Sequence, residues 1–256
     1  GGTSPPRNET ISFTGVVQKN QMSASLGTVS SGHTETINLG GNTPTQNASV
    51  TFTGKESASS FETSYIEDGT DTVSLSNNGE NVVAVVNNPS NYAYDFQIDS
   101  NNDGNAEIDS SISKQSTNTY NLPDSHFTAG SNTFEFIPDT PQYIEMKVEG
   151  DDVSRTTDPS VTIDGSTATY NGELSAGQTV TKSLSLSPGS HTLDVSTSSD
   201  NVGVDLSWEE VTQTEDPSVT INGSTISHTG LISDGQIVSK PVNLSTGSKH
   251  ANISVN

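Results

Sequence analysis

The segment Phe96–Asp109 reads FQIDSNNDGNAEID and places Asp99, Asn101, Asp103 and Glu107 at positions 1, 3, 5 and 9 of a D-x-N-x-D-G-x-x-E loop. Alternate residues around a tight glycine turn aim their oxygens at a common centre, and Ca2+ takes six to eight such ligands at about 2.3–2.6 Å. The Asn105 carbonyl supplies a fifth protein oxygen. The twelfth position is Ser110 rather than a bidentate Glu, and the flanks alternate like strands, so this is not an EF-hand. The expectation is a structural Ca2+ held by Asp99, Asn101, Asp103, Asn105 and Glu107, pinning a turn. The competing reading is a plain acidic hairpin turn.

Other chemistries find less support. A serine hydrolase needs a positioned Ser-His-Asp triad, and the five histidines lie among many serines. His33 follows Gly32 on a turn flank. His126, His191, His228 and His250 sit in Ser/Thr-rich segments, and none belongs to an H-E-x-x-H pair. Glu209 and Glu210 are adjacent, so on a strand they face opposite ways and do not flank one glycosidic bond. The absence of cysteine excludes disulfides, thiolate metal sites and thiol nucleophiles. The reading is that of a protein without enzymatic activity. Asn8, Asn47, Asn222, Asn243 and Asn252 head N-x-S/T sequons and are glycosylation candidates. Tyr92, Tyr94 and Phe96 form a stripe that serves either as a sugar-stacking platform or, preferably, as the core face of a strand. Trp208, the single tryptophan, reads as a core plug.

The 256 residues carry 31 Asp and Glu against 9 Lys and Arg, a net charge of −22 spread over the whole length. That balance excludes nucleic acid and anionic membrane surfaces as partners, since both need clustered cations. Spread acidity with few lysines points to high salt, where screening over about 3 Å at 1 M removes the self-repulsion. No run approaches 18 apolar residues, so no membrane insertion is expected. The N-terminal GGTSPPRNET has neither Met nor a signal-peptide pattern. Hydrophobic residues make up only 28 %, which predicts a thin core.

Period-two alternation dominates the chain: Ile144-Met146-Val148, Val202-Val204-Leu206-Trp208, and shorter cases at Ile11-Phe13, Val50-Phe52, Val73-Leu75 and Phe134-Phe136. Each predicts a strand with one buried face. Asn78-Gly79, Asp103-Gly104, Asp164-Gly165 and Asn222-Gly223 are hairpin-type dipeptides. The fold class is all-β.

Residues 158–190 and 216–248 match at 19 of 33 positions without a gap. The repeat divides the chain into an N-terminal β-sandwich or jelly-roll-like domain, 1–150, and two tandem small Ig-like repeats, 158–215 and 216–256. A degenerate copy near 10–54 is suggested by Gly27 and Gly32, spaced like Gly172 and Gly177. Gly150–Pro159 and Val211–Pro217 read as connectors. The last repeat lacks a counterpart of Val202–Trp208, so its edge awaits a partner or further chain.

The repeat unit DPSVTIDGSTATYNGELSAGQTVTKSLSLSPGSHTLDV, followed by VDLSWEE, resembles β-modules of haloarchaeal tailed-virus tail and fibre proteins and of some haloarchaeal surface proteins. The Asp99 loop is similar to calcium loops that join strands in extracellular β proteins. The resemblance implies an extracellular or virion-surface location, homo-oligomers such as a trimer or ring, and contacts with other virion proteins or host surface glycans or S-layer. The expected function is a structural or adhesive component: a tail fibre, spike or baseplate. Alternatives are a cell-surface adhesin or S-layer- or pilus-associated protein, a capsid decoration or turret protein, and a carbohydrate-binding accessory module of a secreted hydrolase.

Overall fold

The computed structural model describes residues 7–198, 201–221, 223–244 and 251–254. The chain is all-β, 67 % strand, in antiparallel sheets. It opens with β1 (Arg7–Thr14), β2 (Val17–Val29), β3 (Thr34–Leu39) and β4 (Gln46–Gly54). Next come β5 (Glu56–Glu62), β6 (Gly69–Leu75), β7 (Asn78–Asn88), β8 (Tyr94–Asp99), β9 (Ile108–Ile112), β10 (Ser116–Asn121), β11 (Gly130–Pro138) and β12 (Glu145–Thr157). Then follow β13 (Ser160–Ile163), β14 (Ser166–Thr169), β15 (Glu173–Leu174), β16 (Thr179–Leu186), β17 (Gly189–Ser196) and β18 (Val202–Glu215). Last are β19 (Ser218–Ile221), β20 (Ser224–Ser227), β21 (Leu231–Ile232), β22 (Ile237–Leu244) and β23 (Ala251–Ser254).

Strand pairing divides the chain differently from the sequence-based division at 150 and 215. The inner unit is β5–β12, with sheets β10-β7-β12-β5 and β9-β8-β11-β6. Its core holds Phe96, Ile98, Phe134, Phe136, Met146 and Val148. The second unit joins β2, β3 and β4 to β13–β18, in sheets β16-β4-β18-β2 and β14-β13-β17-β3. One core draws Val29, Ile37, Val50 and Phe52 together with Val161, Leu193, Val204, Leu206 and Trp208. Residues 17–54 therefore do not belong to an N-terminal domain ending at 150. They complete the first repeat, and the whole inner unit is inserted between β4 and β13. The third unit repeats the scheme: β1 pairs with β22, β19 lies between β20 and β23, and Phe13 packs with Val219 and Ile232.

With the two-residue strands β15 and β21 set aside, and the rest numbered within each unit, the inner and second units share one strand order, 6-3-8-1 against 5-4-7-2. The third unit fills places 3 to 7 of that scheme among the described residues, β1 standing where β4 stands in the second. The sequences agree: RNETISFTG at Arg7–Gly15 matches QNASVTFTG at Gln46–Gly54. The registers agree too, Thr14↔Ile237 and Arg7↔Leu244 answering Thr53↔Thr179 and Gln46↔Leu186. This is the copy hidden in the N-terminal region. The Gly27–Leu39 segment is not one: it forms the end of β2, the turn and β3, whereas Gly172–Leu186 leads through β15 into β16.

The expected connectors are largely strand. β12 runs through Gly150–Thr157 and β18 through Val211–Glu215, each passing from one unit into the next. Both crossings are built alike. The Lys55 N–H donates to Thr156 Oγ1 at 2.8 Å, and the Val16 N–H to Thr214 Oγ1 at 3.0 Å. Asp158 and Asp216 take positive φ, 49° and 43°, and their Oδ1 atoms accept the Gly172 and Gly230 N–H groups. A Cβ on Gly54 would lie 2.2 Å from the Ser175 carbonyl oxygen, and one on Gly15 2.0 Å from that of Ser233. Only glycine lets the outgoing strand press this close.

Alternation produces the strand faces as expected: in β4, Ala48, Val50 and Phe52 are buried while Asn47 is exposed. Asp164-Gly165 forms the tight β13–β14 turn, with both φ values positive. Asn78-Gly79 does not turn a hairpin, because β6 and β7 lie in different sheets. Asn222 lies outside the described residues.

The joints can be tested by substitution. Gly54→Ala should cost about 1–3 kcal/mol through overpacking, read by urea denaturation. Arg155 bridges Glu56 and Glu80 at 2.7 and 2.6 Å, with Glu173 at 3.5 Å. Arg155→Gln strands those carboxylates together, so its melting temperature should fall in low salt and recover as salt rises; a salt-independent loss would contradict this.

Candidate cation site

The Asp99–Glu107 loop joins β8 to β9, neighbouring strands of the inner unit. Ile98 and Ile112 anchor it in the core. Asn102 and Gly104 take positive φ, 53° and 88°, which folds the loop back on itself. Asp99, 1 % exposed, accepts three backbone N–H groups: Asn101 and Asp103 on Oδ1, both at 3.2 Å, and Gly104 on Oδ2 at 2.7 Å. A buried carboxylate needs such donors, and the chain's own turn provides them.

Oxygens of Asp99, Asp103 and Glu107 lie within 4.8 Å of one another. Three hard carboxylates at that spacing fit an oxygen-seeking cation of the Ca2+ class. Asn101 and Asn105 are turned to Asp103 as donors. Asn105 gives its backbone N–H and its side-chain amide to Asp103 Oδ1, at 2.8 and 3.0 Å, and Asn101 Nδ2 reaches Oδ2 at 3.2 Å. Asn101 Oδ1 itself accepts the Asp103 N–H at 3.3 Å. Of the five residues expected as ligands, Asp99, Asp103 and Glu107 bring oxygens together, whereas Asn101 and Asn105 turn their amides to Asp103.

Two participants lay outside its reach. Glu107 Oε2 accepts the Ser100 N–H at 2.6 Å and the Ser100 hydroxyl at 2.9 Å. Ser100 Oγ is also 2.7 Å from His126 Nδ1, which stands 3.8 Å from Glu107 Oε1. His126 arrives from a 3-10 turn at Asp124–His126, between β10 and β11. The order is not that of a nucleophilic triad: serine sits between acid and imidazole, and Ser100 is fully buried. Its role here is to hold Glu107 in place.

The other predicted residues scatter. His191 pairs with Asp164 at 2.5 Å and with the Ser187 carbonyl at 2.8 Å, a clip that holds the Asp164 carboxyl below its usual range. Glu209 binds Lys19 and Gln21, while Glu210 accepts the Gly40 N–H and the Trp208 indole N–H. Trp208 is buried in the second core. The aromatic stripe divides: Phe96 is core, Tyr92 is 72 % exposed, and Tyr94 stacks on exposed Tyr143 at 5.5 Å and 5°. Among the sequons, Asn8, Asn47 and Asn243 are exposed, with Asn8 directly opposite Asn243 across β1 and β22. Asn252 lies on β23.

No family model matches the chain, and no curated protein matches it. Among solved structures it aligns with the crystal structure of the STIV MCP, a viral major capsid protein, at a TM-score of 0.12 and 7 % identity, covering 77 % of this chain and 96 % of that one. Likeness at that level carries no argument about fold or function.

Asp103 is held below the ordinary aspartate range, first by the Asn105 backbone N–H and then by its side-chain amide. A depressed folded value means the interaction is present above the ordinary value, about 3.9, and is lost as pH falls through the folded one. Carboxyl NMR should therefore show Asp103 titrating below that value. Asn105→Ala should raise the midpoint only partway, since the backbone donor stays.

Proposed function

We propose that this chain is a non-enzymatic structural or adhesive component of an extracellular assembly built for high salt, most concretely a tail fibre, spike or baseplate of a halophilic virus. The observation that supports this is the joint built twice, which links successive sandwiches by two strands each. Eight strands ordered 6-3-8-1 against 5-4-7-2 read as a jelly roll, in place of the Ig-like form expected of the repeats. Such a unit lengthens an appendage by insertion of another copy, as a repeat array lengthens by stacking. The net charge of −22 suits a screened, saline exterior.

In this reading the chain associates with itself as a trimer or ring and with other virion proteins. Ca2+, held by Asp99, Asp103 and Glu107 with Asn101 and Asn105 at the rim, stiffens the β8–β9 loop of the inner unit. Exposed Tyr92 and Tyr143 favour one second reading, contact with host surface glycans, because flat rings stack on sugar faces. Exposed Asn8, Asn47 and Asn243 are accessible to glycosylation.

The test is the mass of the assembly by light scattering in about 2 M salt, with and without a chelator. A closed trimer or ring is expected, with a melting temperature that falls on chelation and no longer responds in Asp99→Asn/Asp103→Asn. A monomer indifferent to chelation would overturn both the self-association and the Ca2+ site.

A further inference from the structure

The third unit is open along β1. Within the second unit, β4 is bonded on one edge by β16 and on the other by β18. Its twin β1 is bonded by β22, and no other described strand pairs with it. The effect on burial is visible position by position, because the second unit serves as an internal control. Val50 and Ile163 are fully buried, while their counterparts Ile11 and Ile221 are half-buried. Phe52 and Val161 stand at 0 % exposure; Phe13 and Val219 stand at 7 % and 8 %. Ala168 is buried, and its counterpart Ile226 is half-buried. Among the described residues the third unit lacks counterparts of β2, β3 and β18, which leaves this row of apolar side chains less covered, and the free edge of β1 lies where β18 stands one unit away.

We infer that the free edge of β1 takes up an added antiparallel strand of the β18 kind: branched or aromatic residues at alternate positions facing inward, hydroxyl or acidic residues between them. The register is set by the β4–β18 pairing, where Val202, Val204 and Leu206 stand opposite Gly54, Phe52 and Val50. Gly15, Phe13 and Ile11 are the matching positions of β1, so the added strand sets its first three inward residues opposite these. The occupant is a separate strand rather than β18 of a second copy, because β18 is already held between β4 and β2 and forms part of its own core. Main-chain bonds along the edge supply affinity, and the alternate pockets supply specificity. This inference stands on the strand pairing and does not depend on the functional reading above.

The probe is a fluorescent synthetic peptide with the sequence of Val202–Glu215, added to the intact 256-residue chain. The expected result is saturable one-to-one binding by anisotropy, with NMR shift changes centred on Ile11, Phe13 and Val219. A second peptide, with Val204, Leu206 and Trp208 all replaced by Asp, leaves the protein untouched; it should bind about 100-fold more weakly or not at all. Absence of binding overturns the inference, whether the edge simply rejects a strand or is covered by a second copy. Equal binding of the two peptides overturns it as well, as would shift changes confined to β4 and its neighbours.

Discussion

A strand inside a sheet must be hydrogen-bonded along both edges, and the rest of this molecule depends on how the chain meets that demand. β4 finds one partner, β16, far downstream at Thr51↔Thr181, and another, β18, beyond that. Between them a complete sandwich is spelled out first. The cost of closing so long a loop is moderated because the inserted residues 56–157 fold as a compact body whose own strands leave and return side by side. β5 runs antiparallel to β12 from Glu56↔Arg155 onward, which brings the ends of the insertion together.

Little apolar material supports this. Most strands carry a single file of core residues, β7 with Ala84, Val85 and Val86 all buried being an exception, and in the second and third units hydroxyl pairs line the opposite faces. Ser49 meets Ser207, Thr51 meets Thr181 and Thr162 meets Thr167, all at 2.8–2.9 Å. The third unit repeats two of these contacts as Ser12–Ser239 and Thr220–Thr225. Cations are concentrated where acids crowd. Lys147 lies between Glu62 and Glu149 over the Tyr65 ring, and Arg155 stands among three glutamates at the inner joint. Hydrogen bonds to Glu149 and Glu62 raise Lys147 above its ordinary value, and those to Glu80 and Glu56 raise Arg155.

What the sequence reveals is local. Alternation at Val202–Trp208 and Ile144–Val148 gives the strands and their inner faces, because a period of two is written in consecutive residues. The tandem repeat is legible for the same reason. The partition is not: the segments that mark β1 and β4 as twins are too short and too rich in Ser and Thr to stand out, and sheet neighbours lie far apart along the chain. The acidic loop follows the same rule. Asp99, Asp103 and Glu107 are readable from spacing, whereas His126 reaches Ser100 only because β8 and the 3-10 turn end on the same side of the inner sandwich. Tyr92 and Tyr94 share an alternating register in the sequence, yet β8 begins at Tyr94, so Tyr92 escapes the pleat.

Insertion of one unit within another changes what a break in the backbone means. Beads on a single thread separate when the thread is cut once between them. Here the inner sandwich is tethered to the second by an outgoing strand at Gly54–Lys55 and a returning one at Thr156–Asp158, and the second to the third by the same two-strand arrangement. A protease that severs one surface loop leaves each sandwich attached through the other strand. Shedding a unit takes two cuts, one in each of the strands that tether it.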